Sequence, residues 1–469
     1  MGCQRRHRRW RRREFLARGL RLGGGFGMLA AASALHGCGS PGNAPRRPHI
    51  VLITLDTTRA DHLGCYGYPL PTSPRIDGLA RESRVYTRMI APATWTLPSH
   101  ACIFTGKFTT SHGAQYDPEG QLRLTQGLAR SDPSWSELRV RTIDPHEPTL
   151  PGLLAEHGYH TAGVVAGPWL KRVFGLARGF DHFDDDDIRT LNGRPAEEVT
   201  DRALDWLDTA GEGPKMLFAN YFDPHTPLQP PPAFANRFLS RLPRGEPPER
   251  AKVGRKIALY DAEINYMDFH VGRLLDGLKQ RHMYSDSWII ITSDHGELLG
   301  EHGQTGHGDI PLQGVIHIPC IIKPPGRIPQ GPTHDRWLQL TDLMPMILSH
   351  LNIGVPPNIQ GQAPPGIRHP IITESRVLPK FEGNGNWLSV IQGNMKFIWN
   401  SHGHHLLFDV VSDPQENNNL LDAQREQAET MEKMMVGYLA GLPLPDSVSS
   451  HATVDDETLE SLRALGYVD

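Results

Sequence analysis

H-I-V-L-I-T-L-D, residues 49–56, is a run of apolar and β-branched residues closed by a carboxylate, Asp56. A strand buried on both faces of a parallel sheet reads as such a continuous run, whereas a half-exposed strand alternates. Two more runs repeat the arrangement: M-L-F-A-N-Y-F at 216–222 precedes Asp223, and W-I-I-I-T-S at 288–293 precedes Asp294. Ligands of open α/β sheets bind outside the C-terminal strand ends. One such Asp is usually a turn or helix cap, but three at three strand ends predict a shared site. Helical patterns at 149–157 and 259–279 alternate with strands such as 161–166. The alternation predicts an α/β fold, doubly wound, with a mostly parallel sheet and helices on both faces. Segments 107–148 and 226–256, rich in Pro, Gly and polar residues, read as long surface loops. From about 366 the texture changes to short strands, I-I-T-E-S, W-L-S-V-I-Q, M-K-F-I-W-N and H-L-L-F-D-V, with a helix at about 421–440. That pattern predicts a small C-terminal antiparallel sheet with one helix.

The first 37 residues do not read as part of the fold. M-G-C-Q-R-R-H-R-R-W-R-R-R-E-F-L is basic with a twin arginine, and the following Gly/Ala-rich apolar stretch is too short and weak for a spanning helix. This is the pattern of a twin-arginine export signal. It ends in L-H-G-C, which resembles a lipoprotein processing site with Cys38 as the lipidated residue. The expected organisation is a signal at 1–37, a linker at 38–48, a catalytic domain at 49–365 and a C-terminal subdomain at 366–469. The protein is then exported to the periplasm or cell envelope, touching the membrane only through that anchor. Removing 1–37 takes away nine Arg and one Glu, so the formal charge moves from −4 to −4 − 8 = −12. A mature chain this acidic argues against a nucleic-acid partner. Cys65, Cys102 and Cys320, the cysteines of the body, are too sparse for a disulfide framework and lack zinc spacing.

Placement of histidine carries the chemistry. D-H-G-E at 294–297 sets His295 beside Asp294, E-H-G-Q-T-G-H-G at 301–308 adds His302 and His307, and F-D-P-H-T-P at 222–227 adds His225. In A-T-W-T-L-P-S-H-A-C-I-F-T-G at 93–106, Thr96 stands where a helix starts, with Pro98 in the first turn. Alone, that stretch favours Thr96 as an N-cap. With Asp56, Asp294 and His295 around one divalent cation, the same hydroxyl gains the Lewis acid a nucleophile needs. Asp61, His62 and Tyr66 read as turn and packing residues, Asp184 to Asp187 as a solvated loop, and His402, His404 and His405 as a hairpin turn. Arg59 either faces a substrate anion or pairs with a neighbouring carboxylate.

These motifs, in this order, resemble the sulfatase family of the alkaline phosphatase superfamily over residues 49–469. D-T-T-R-A-D-H-L-G-C-Y-G-Y at 56–68 is similar to its first metal segment, T-L-P-S-H-A-C-I-F-T-G at 96–106 to its nucleophile signature and Y-F-D-P-H-T-P to its substrate-facing histidine loop. I-I-I-T-S-D-H-G-E is similar to its second metal segment, and L-L-F-D-V-V-S-D-P-Q-E-N-N-N-L at 406–420 and L-R-A-L-G-Y-V-D at 462–469 to bacterial C-terminal segments. The resemblance implies Asp56, Asp294, His295 and Thr96 on a metal, Thr96, His225 and His307 in catalysis, and His100 and Arg59 toward substrate. The departures matter as well. Formylglycine sulfatases carry Cys or Ser where this chain has Thr96, and Arg where it has His100, so formylglycine is not expected. Thr57 stands where many members have a second Asp, His295 where many have Asn, and His307 where a substrate-binding lysine is frequent. A site with less charge and more nitrogen moves preference from Ca²⁺ toward Mn²⁺ or Zn²⁺. The expected activity is hydrolysis of sulfate or phosphate esters of small molecules or glycans. The competing readings are a catalytically inactive anion- or glycan-binding relative and a phosphotransferase.

Overall fold

The structure, a computed structural model, describes residues 47–117, 122–123, 139–188, 193–326, 333–376 and 378–445. The basic leader, Cys38, nearly all of the linker and the segment 462–469 lie outside the described residues.

The three apolar runs stand side by side at the centre of an eight-stranded sheet. Edge to edge its order is Thr333–Gln339, Arg84–Ile90, His317–Lys323, Ser287–Thr292, His49–Leu55, Lys215–Tyr221, His160–Val164 and His182–Asp184. Only His317–Lys323 pairs antiparallel with both neighbours; the other pairings are parallel. Successive side chains on a strand point to opposite faces, so each run feeds two cores. Ile50 and Leu52 pack with the helices Thr96–Thr105 and Leu343–His350, whereas Val51, Ile53 and Leu55 pack with Pro248–Gln280, Ala196–Thr209 and Pro74–Ala80. That is the doubly wound, mostly parallel sheet expected from the runs.

The C-terminal strands Ile371–Ser375, Trp387–Gln392, Met395–Asn400 and Leu406–Asp409 form a four-stranded antiparallel meander. Met431 and Met435 of the helix Arg425–Ala440 cover one face of it, and Ile371, Ile391, Ile398 and Phe408 on the other join the core of the large sheet. His402, His404 and His405 occupy the turn between two of its strands, as read.

Two readings are corrected. Segment 226–256 is largely helical: Pro232–Leu239 and the first turns of Pro248–Gln280 lie within it. Both helices carry proline at their first position, where its missing N–H costs nothing and its φ suits a helix, so composition there mimicked a loop. Of Asp184 to Asp187, only Asp186 and Asp187 are solvated, as read; Asp184, the end of the edge strand, and Asp185 are buried. Asp184 pairs with Arg194 at 2.8 Å and Arg202 at 3.1 Å, and Asp185 with Arg172 at 2.7 Å. Among the described residues no helix is long and apolar enough to cross a membrane.

Candidate metal and nucleophile site

Strand register sets the centre. Thr54 is the in-register partner of Thr292 in the parallel pair His49–Leu55 and Ser287–Thr292. Asp56 and Asp294, each two residues further on, therefore leave the sheet at one height. His295 follows, and one ligand atom each from Asp56, Asp294 and His295 lie within 4.8 Å of one another, all buried. Thr96 joins them: its Oγ1 is 3.4 Å from Asp56 Oδ2 and 3.3 Å from His295 Nε2. The hydroxyl is not a helix cap. Trp95 is the N-cap residue, without a side-chain cap bond, and Thr96 is the first residue inside the helix. The expectation of a cap fails because the hydroxyl faces the carboxylate end of the sheet instead of the helix's own N–H groups.

The donor set fits a cation. Asp56 Oδ1 and Asp294 Oδ2 are buried without a hydrogen-bond partner, an arrangement that is costly for carboxylates unless a positive charge lies between them. Burial pushes the Asp56 carboxyl well above its ordinary range and the Asp294 charge adds to this. Burial acts the same way on Asp294, but His295 and His100 hold it below the usual value. His295 donates Nδ1–H to the Gly296 carbonyl at 2.9 Å, which leaves the Nε2 lone pair on the site. Burial lowers its pKa to about 4 against the pull of Asp294, so the ring stays neutral and ligand-competent. Thr57, at φ +53° an unusual conformation for a β-branched residue, turns its N–H onto Asp294 Oδ1 at 3.3 Å.

A second rim comes from loops. The His225 ring stacks on Phe222 at 4.3 Å and donates Nδ1–H to the Thr226 carbonyl at 2.7 Å. Burial, with repulsion from His307 behind it, lowers its pKa to about 3. The His307 ring lies 4.5 Å from His295 and 5.0 Å from His225. The Gly308 N–H donates to the Thr94 carbonyl at 2.9 Å, which ties this loop to the start of the Thr96 helix.

Other expected members sit elsewhere. Asp223 does not join the other strand-end carboxylates; its Oδ1 accepts the N–H of Ala196 at 2.9 Å at the start of the helix Ala196–Thr209, the bland role of such an Asp. His302 is exposed and meets the Gln415 carbonyl at 3.2 Å. His100 is corrected from a substrate contact to an internal one: Nδ1 donates to the Thr96 carbonyl at 2.9 Å, and Nε2 accepts from Thr54 Oγ1 at 3.0 Å. Arg59 is likewise occupied. It is forked onto Asp61 at 2.7 and 2.9 Å, meets Glu301 at 2.5 Å and donates to the Glu297 carbonyl at 3.1 Å. Thr94, two residues before Thr96, is not part of the centre and shares a hydrogen bond with Ser375 at 2.7 Å.

Two residues were missed. Glu297, the last residue of D-H-G-E, is buried and meets His307 Nδ1 at 2.7 Å and Lys256 Nζ at 3.2 Å. Burial would raise its pKa, but the His307 hydrogen bond and charge and the Lys256 charge hold it at about 2. Position in the motif pointed to Glu297. Lys256, 41 residues upstream on the long helix, left no local sign.

A mostly parallel sheet thus gathers two carboxylates, an imidazole and a hydroxyl at its strand ends, a donor set that could hold a cation. The family model described as Sulfatase matches residues 48–353, and the chain belongs to the sulfatase family. It is 22% identical to an arylsulfatase of Clostridium perfringens over 84% of this chain and 95% of that protein. A structure solved with its substrate D-glucosamine-2-N,6-O-disulfate matches with a TM-score of 0.68 at 20% identity, covering 87% of this chain and all of the other. The phosphonate monoester hydrolase of Agrobacterium radiobacter matches with a TM-score of 0.66 at 18% identity, covering 84% of this chain and 96% of that one.

Proposed function

We propose that the chain is a metal-dependent hydrolase of sulfate or phosphate esters in which Thr96, at the family's formylglycine position, is the unmodified nucleophile. The observation that carries this reading is the Thr96 hydroxyl, which contacts Asp56 and His295 instead of capping its helix. Asp56, Asp294 and His295 would hold the cation, which when bound supplies Lewis acidity to the hydroxyl and the transferred oxygens. Thr96 gives its proton toward Asp56 Oδ2, the acceptor it already faces, as its oxygen forms the bond to sulfur or phosphorus. The bridging oxygen departs with the electron pair of the broken bond and takes a proton from the histidine rim. Water then attacks the threonine ester, returns a proton to the histidine rim and releases the Thr96 oxygen, which recovers its own proton from Asp56. Relatives named as an arylsulfatase and a phosphonate monoester hydrolase bracket the substrate class.

The test is turnover of aryl sulfate, phosphate monoester, phosphate diester and phosphonate substrates with Mn²⁺, Zn²⁺ or Ca²⁺. Binding of sulfate or glycan without turnover on any of them would establish the inactive reading instead. Export through the twin arginine and attachment through Cys38 belong to the same proposal. Normal export after replacing Arg12 and Arg13 by Lys, or a protein already soluble before Cys38→Ser, would overturn them.

A further inference from the structure

The long helix Pro248–Gln280 treats its cations differently along its length. In its C-terminal half Arg273 pairs with Asp201 at 2.7 Å, Lys279 with Asp276 at 3.2 Å and Arg281, just past its end, with Asp208 at 2.5 Å. In its first turns Arg250, Lys252 and Arg255 are exposed, and among the described residues none of them has an ion-pair partner. Arg241 and Arg244, on the connection from the helix Pro232–Leu239, are likewise exposed and without an ion pair among the described residues. Residues 237–256 carry seven Arg or Lys against two Glu, in a chain whose formal charge without its first 37 residues is −12. From the proposed hydrolase reading we infer that this helical hairpin is a binding surface for an anionic polysaccharide, whose anions it holds outward from the ester presented to Thr96.

Packing joins these cations into one surface and carries it to the centre. Leu242 packs with Phe238, Leu239 and Ala258, and a Cβ on Gly254 would lie 3.5 Å from its side chain. The connection that bears Arg241 and Arg244 is thereby laid against the helix between Arg250 and Arg255. Lys252, Arg255 and Lys256 share one helix face, at spacings of three and four residues. Lys256 is the inner end of that row: its Nζ meets Glu297 Oε1 at 3.2 Å and the Leu298 carbonyl at 3.1 Å, on the D-H-G-E loop. Lys252 stands about 6 Å further out along the helix axis. Anions of a polymer that continue outward from the cleaved ester would meet this row, whereas a single small ester offers it nothing to hold. Without such a ligand the arrangement costs stability, because the cations repel one another and Arg250 sits in the first helical turn, where the dipole disfavours positive charge. A local rule broken in this way marks a place kept for a ligand. Polysaccharide fits this surface better than other polyanions do. Residues 239–259 hold no aromatic side chain on which a nucleic-acid base could stack. A helix that lies on a bilayer brings a broad apolar face to it, whereas among the described residues of this stretch Val253 is the one exposed large hydrophobic side chain.

Dextran sulfate is the probe, used with the metal-loaded full chain. It should bind the parent, compete with turnover of a 4-nitrophenyl ester and lose affinity as salt rises, because exposed charges are screened. Arg241→Gln, Arg244→Gln, Lys252→Gln and Arg255→Gln combined should weaken dextran sulfate binding about 30-fold or more, while kcat/KM on the small ester stays within about twofold. Arg273→Gln with Arg281→Gln removes paired cations from the same helix and should leave dextran sulfate affinity within about twofold of the parent. Unchanged affinity in the quadruple variant, an equal loss in the double variant, or binding that does not inhibit the small ester would overturn the inference while leaving the hydrolase reading intact. So would tighter binding of single-stranded oligothymidylate or of phosphatidylglycerol vesicles than of dextran sulfate. A parent chain inactive on 4-nitrophenyl sulfate and phosphate with every metal would overturn the hydrolase reading. Dextran sulfate affinity of the parent against the quadruple variant still decides in that case whether the hairpin binds polysaccharide.

Discussion

Asp56 and Asp294 hang from neighbouring strands whose register sets them at one height, and both are completely buried. His225 and His307 hang from loops at the same centre, partly exposed, and each depends on a partner outside the sheet. The first rim is positioned by six consecutive strand pairings and resists displacement; the second is positioned by single hydrogen bonds, His225 on the Thr226 carbonyl and His307 on Glu297. A rim built on sheet register suits ligands that must not move, and one built on loops suits groups that meet substrate.

Thr96→Ala tests the point where the rims meet and should have the largest effect. Loss of the nucleophile should lower kcat by about 10³-fold or more, roughly 4 kcal/mol in barrier. Because no cap is lost, the melting temperature should hardly move, and bound metal should be retained. A variant active within about tenfold would remove Thr96 from the mechanism. Asp294→Asn breaks the first rim alone. Metal content and activity should fall together, and chelator should lower the melting temperature of the parent but not of this variant. At a free metal concentration about 100 times its Kd, bound metal adds about 2.7 kcal/mol of stability, which calorimetry would resolve.

Two glycines give a matched pair of smaller effects. A Cβ on Gly296 would lie 2.2 Å from the Gly314 carbonyl oxygen, so Gly296→Ala must push the D-H-G-E loop and should weaken metal binding. Gly308 has φ +83° and its Cβ would lie 2.9 Å from Leu378, so Gly308→Ala should displace His307 and reduce turnover while sparing metal. Metal titration and kcat for both variants would decide whether the rims are separable; equal losses of metal would mean they are not.

The smallest effect is a pH slope beneath the His225 loop. Burial raises the Asp223 carboxyl to about 7 and, with repulsion from Asp223, that of Glu263 to about 8. Unfolded carboxyls titrate near about 4. Between roughly 4 and 7–8 the folded chain therefore holds more protons than the unfolded one, and stability falls as pH rises through that window. Glu263→Gln should flatten the slope by up to one proton, about 1.4 kcal/mol per pH unit. Denaturant unfolding at pH 5 and pH 8 measures it, and an unchanged slope would show that Glu263 is ionised in the fold.

Local sequence determined the parallel sheet, the small C-terminal meander and the grouping of Asp56, Asp294 and His295 at strand ends, because buried strands and their exits are written in contiguous residues. It also marked Thr96 as a candidate nucleophile, while the cap that the same stretch suggests in isolation is not made in the structure. Tertiary structure alone decided that Asp223 turns to another helix, that Arg59 and His100 are spent on internal partners, and that Lys256 and His307 converge on Glu297. Those outcomes depend on which polar groups packing brings within about 3 Å. Arg59 and Glu301 are 242 residues apart, and no periodicity or spacing along the chain encodes such a meeting.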